Sequence, residues 1–87
     1  MPHALVTIDL HQATGAQRSQ FDQEMGKRQW QKISTVTTTW VATFESTVSS
    51  LDARQTTESD VHAAAVAAGI PAWDAVCMVS DESVHVF

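Results

Sequence analysis

Ala4-Leu5-Val6-Thr7-Ile8-Asp9-Leu10 is the stretch on which the reading of this sequence turns. Successive side chains of an extended strand point to opposite sides, so a period of two in polarity marks a strand. Ala4, Val6, Ile8 and Leu10 share one face and are expected in the core; Leu5, Thr7 and Asp9 share the other.

Downstream of this strand, Thr14-Gly15-Ala16-Gln17 has the spacing of a capping box and predicts a helix from about Gly15 to Lys27. Phe21 and Met25 lie on its inner side, Arg18 and Asp22 on its margins. Gly26, followed by Lys27 and Arg28, is expected to end it, glycine weakening the helix and the charges complementing its dipole. Composition then turns β-branched and aromatic, predicting strands over about Trp30–Ser34 and Thr38–Glu45. Trp40, Ala42 and Phe44 fall on one side of the second of these, with Thr39, Val41 and Thr43 on the other.

Ser46–Thr56, rich in Ser and Thr, is expected as a loop. Thr57-Glu58-Ser59-Asp60 has the features of a second helix start. Val61, Ala64, Ala65 and Ala68 then form a stripe of small residues that ends at Gly69 and Pro71. The apolar run Asp74–Ser80 predicts a strand covered on both faces. Val84–Phe87 is expected as a last short strand or as a tail that pairs with a partner.

The 87 residues allow one domain, spanning 1–87, and one core. The order is β-α-β-β-α-β, which implies an α+β, ferredoxin-like two-layer sandwich: a four-stranded antiparallel sheet with two helices on one face. The opposite face is then bare, carrying Leu5, Val41 and either Cys77 with Val79 or Val76 with Met78. Apolar surface of that extent is usually covered, and a homodimer through the sheet is the simplest cover.

Composition narrows the function. Ten acidic against five basic residues give a net charge of −5. Phosphate backbones are held chiefly by Lys and Arg, so this balance argues against general DNA binding; only Lys27, Arg28 and Lys32 cluster, leaving a weak RNA contact open. The longest apolar run, around Ala63–Gly69, is far below the roughly 20 residues of a membrane span, and Met1-Pro2-His3-Ala4 does not begin like a signal peptide. Cys77 is the single cysteine, which fits a reducing compartment, so a cytoplasmic location is expected.

The element order, the length and the close of the first strand as Val6-Thr7-Ile8-Asp9 resemble the superfamily of small ferredoxin-like proteins that includes VapD, GhoS-type antitoxins and CRISPR-associated nuclease subunits. The resemblance implies a homodimer and, in several members, RNA endonuclease activity, with the aspartate closing the first strand as the metal-binding or catalytic position. Asp9 occupies it here. The Arg- and Ser-containing stretch expected near the third strand is replaced by Thr37-Thr38-Thr39-Trp40.

Among residues able to carry chemistry, His3 and His11 lie roughly 26 Å apart at ~3.3 Å per residue, too far to share a metal. Asp9 with His11 is half of a Mg²⁺ or Mn²⁺ site, completed only if a twofold axis doubles it. Asp9 equally suits the turn before the first helix. His62 is expected in solvent, His85 as an ordinary strand residue or a general acid–base, and Cys77 as a buried small hydrophobe. Trp40 is expected in the core, and Trp30 and Trp73 on a partner surface. The reading that follows is a small homodimeric interaction or regulatory protein, of the kind found on mobile elements or in toxin–antitoxin pairs. The alternatives are a metal-assisted RNA endonuclease and an acidic inhibitor of a nucleic-acid-binding protein.

Overall fold

Six elements follow one another along residues 1–87 of a computed structural model: β1 (His3–His11), α1 (Gly15–Lys27), β2 (Gln31–Lys32), β3 (Thr39–Thr43), α2 (Ser50–Ala68) and β4 (Ala72–Ser80). The strands make one antiparallel sheet in the order β2-β3-β1-β4. This is the ferredoxin-like βαββαβ sandwich, and β1 sits inside it as its alternation requires. Ala4, Val6, Ile8 and Leu10 are all buried, joined in one cluster by Phe21 and Met25 of α1 and by Val61, Ala64, Ala65 and Ala68 of α2. Both helices therefore lie on one face of the sheet.

α1 begins as its capping box dictates: Thr14 Oγ1 accepts from the Gln17 N–H at 3.1 Å, and Gln17 Oε1 accepts from the Thr14 N–H at 2.9 Å. It ends at Lys27, as expected. Gly26 lies inside the helix, and the left-handed residue that closes it is Gln29, at φ 69°. The Gln29 N–H donates to the Gly26 carbonyl and the Trp30 N–H to the Met25 carbonyl, the paired bonds of a Schellman ending. α2 ends the same way at Gly69, where φ is 70° and glycine meets no steric cost.

Four expectations are corrected. Ser46–Thr56 is not a loop, because α2 starts at Ser50. Ser49 Oγ accepts from the Asp52 N–H at 3.0 Å and caps it, which places Thr57 in the helix interior. Thr57 is buried there, its hydroxyl donating back to the Ala53 carbonyl at 2.8 Å, so a polar residue sits in the packed stripe without an unmet hydrogen bond. β2 is reduced to Gln31–Lys32, because Ile33–Thr38 fold into successive turns closed by Ile33–Val36 and Val36–Thr39 backbone bonds. β4 is an edge strand rather than a strand covered on both faces, and none of its residues is fully buried. Val84–Phe87 forms no strand; it turns back beside Leu5 and Thr7 on the helix-free face, where these segments line a shallow cavity of about 340 Å³.

Candidate interaction surface

The helix-free face of the sheet is built by alternation on three strands. β1 presents Leu5, Thr7 and Asp9 to it, β3 presents Thr39, Val41 and Thr43, and β4 presents Asp74, Val76 and Met78. The register resolves the choice left open by the apolar run: Leu5 lies opposite Met78 and Thr7 opposite Val76, so Val76 and Met78 belong to the open face and Cys77 and Val79 to the helix side. Val76 is 76% exposed and Met78 73%. Val36, Val86 and Phe87, on the adjoining turn and tail, are exposed as well. Gathered apolar side chains of this kind are a feature of interaction sites.

One end of this face is polar. Asp9 stands directly across from Asp74 in the β1–β4 ladder, and like charges in that position repel. His11, two residues on, donates Nε2–H to Asp74 Oδ2 at 2.7 Å. The histidine thus partners Asp74 and not Asp9, whose carboxylate is left exposed to solvent. No group of three or more His, Cys, Asp or Glu side chains is close enough to hold a metal ion. His3 lies at the far end of β1, hydrogen-bonded to Thr43 Oγ1 at 3.1 Å.

The other singled-out residues separate cleanly. Trp40 is buried, edge-on to Phe21. Trp30 is buried too, against the expectation of a partner surface: its indole Nε1–H donates to Asp60 at 3.0 Å and its ring meets Phe44 edge-on, tying the end of α1 to α2. Trp73 is half-buried, with His62 packed against its ring at 5.6 Å. His62 is exposed, as expected. His85 lies in the tail stacked on Phe87, in no strand. Cys77 is only partly buried, because it stands on the edge strand where α2 gives incomplete cover.

Asp74 carries no local signal that marks it in the sequence. Its parity within the apolar run was visible, but its position opposite Asp9 depends on the register between strands more than sixty residues apart. Arg54 stands beside β4 because α2 begins earlier than the composition suggests.

No helix is long and apolar enough to cross a membrane. No protein-family model, curated protein or solved structure matches the chain.

Proposed function

We propose that this chain is a protein-interaction module that works as a homodimer. The observation that carries the reading is the pair Val76 and Met78, each about three-quarters exposed at neighbouring same-face positions of a long edge strand. Setting them beside the same residues of a second copy removes part of their apolar area from water at roughly 25 cal/mol per Å². It also adds burial that a small domain needs, since one core in a chain this short leaves a thin margin. Sedimentation equilibrium is expected to give twice the 9.5 kDa chain mass, and Val76→Lys with Met78→Lys together a folded monomer. A wild-type chain that stays monomeric at every accessible concentration overturns the reading.

A second reading has its own observation, the Asp9–Asp74 pair with His11 beside it. Within one chain these side chains do not complete a metal site, so a Mg²⁺ or Mn²⁺ would need further ligands from a second copy; the resemblance to RNA endonucleases implies that Asp9 is the functional aspartate. This reading requires metal-dependent cleavage of structured RNA that Asp9→Ala abolishes; cleavage surviving that substitution removes it.

A further inference from the structure

β4 has one free backbone edge along its whole length. All nine of its residues pair with β1, and no strand lies on its other side. Natural edge strands are usually blunted by Lys, Pro, a bulge or shortness. Ala72–Ser80 contains no Lys, Arg or Pro, and its register against β1 is unbroken.

On the helix side this edge borders a groove. Two cavities of about 290 and 320 Å³ lie end to end between α2 and β4 and share Cys77. Glu58 and His62 of α2 line the first with Trp73, and Leu51 and Arg54 line the second with Val79. α2 and β4 run in opposite directions, so Cys77 is level with the stretch of α2 between Arg54 and Glu58.

The charges along the groove have no partners within the chain. Every other basic side chain is engaged: Arg18 donates to the Leu10 carbonyl, Lys27 and Arg28 pair with Glu24, and Lys32 pairs with Asp22. Arg54 has neither a salt bridge nor a hydrogen bond, and Glu58, one turn along the same helix, has none either.

We propose that β4 pairs antiparallel with β4 of a second copy about a twofold axis at Cys77, giving one continuous eight-stranded sheet; this rests on the homodimer reading above and specifies its interface. Val76 then faces the partner's Met78 on the open side, and Ala75 faces the partner's Val79 on the helix side. An axis at Val76 instead would set the Asp74 carboxylate against Met78, whereas the axis at Cys77 sets it against the partner's Ser80. α2 packs on both β4 and β1, so the two α2 helices come to lie about two strand spacings apart, roughly 10 Å, within reach of helix–helix packing. Because the axis is level with the middle of the Arg54–Glu58 stretch, Arg54 of each copy meets Glu58 of the other. An isologous interface demands such self-complementarity, and it selects a second copy over an unrelated strand.

Charge reversal tests the pairing. In sedimentation equilibrium, Arg54→Glu and Glu58→Arg are each expected to weaken the dimer about tenfold or more, through like-charge contact across the axis. The double reversal Arg54→Glu/Glu58→Arg is expected to restore it. Copper–phenanthroline oxidation tests the register, since directly opposed antiparallel residues have Cα atoms about 4.5–5.5 Å apart, within disulfide span. The wild-type chain is expected to give a covalent dimer through Cys77, and Cys77→Ser/Val76→Cys is expected to give far less. A dimer that ignores both single reversals, or that cross-links through position 76 and not 77, overturns the β4 pairing while leaving the homodimer reading intact. A chain that never dimerises overturns both.

Discussion

β1 and β4 are nine residues long, lie side by side and pair through their whole length, yet they meet opposite fates. β1, in the sheet interior, alternates strictly and buries Ala4, Val6, Ile8 and Leu10. β4, at the edge, is apolar almost throughout and buries nothing completely. Apolar content alone therefore does not report burial; position in the sheet does. An apolar strand at an edge keeps its outer backbone groups and much of its apolar surface open to pairing.

Truncating one side chain on each strand is expected to separate the two most widely. Ile8 is 4% exposed in β1, and Ile8→Ala is expected to cost about 2–5 kcal/mol, a large part of the stability of a domain this small. Val76→Ala in β4, measured at concentrations low enough to keep the chain monomeric, is expected to stay within about 0.5 kcal/mol, as for an ordinary surface change. Urea unfolding of both variants checks the pair. Equal losses would mean that β4 is buried within the monomer and that the contrast is false.

This contrast also marks how much was legible beforehand. β1 was readable because alternation is local: each residue's face follows from its parity. α1 was readable from Thr14 and Gln17, whose reciprocal bonds need only neighbouring residues. The start of α2 was missed because Ser49 and Thr57 both head plausible capping patterns and the Ser/Thr-rich composition favoured the later one. The complete stripe, Ala53-Thr57-Val61-Ala64-Ala65-Ala68, crosses the false start without a break, and Thr57 hides it by being polar. For β4 the sequence allows Val76 with Met78 or Cys77 with Val79 on the bare face and does not decide between them. A continuous apolar run has no parity to say which half is inside, and strand order is set by how the helices cross the sheet. Trp30 was misjudged for a similar reason: its partner, Asp60, lies thirty residues away.

An intermediate effect is expected at the cap of α2. The first turns of this helix lie over Cys77 and Val79 and give β4 what little cover it has at that end. Ser49→Ala removes the acceptor for the Asp52 N–H and is expected to cost about 1 kcal/mol. The loss is local, so amide exchange is expected to quicken around Ser50–Ala53 and the Cys77–Ser80 end of β4, with the centre of β1 unchanged until the whole domain opens. Uniform acceleration across both strands would show that the two do not differ in how they are held.

The smallest effect lies at Glu24 on α1, which packs against α2 and β2, away from β4. The Arg28 guanidinium at 2.9 Å, and next the Lys27 ammonium at 3.1 Å, hold the Glu24 carboxyl below its ordinary value of 4.5. A carboxylate whose pKa is depressed by folding adds stability above its unfolded pKa and loses it as the pH falls through the folded one. Glu24→Gln is therefore expected to melt slightly below wild type near neutral pH, with the gap closing in acid and narrowing in high salt, where exposed charges are screened. Thermal melts across that range check the sign. The same variant is expected to dimerise as wild type does, because none of its contacts reaches the free edge of β4. A Glu24→Gln chain with a weakened dimer would place the interface on the α1 side and dissolve the distinction between the two strands.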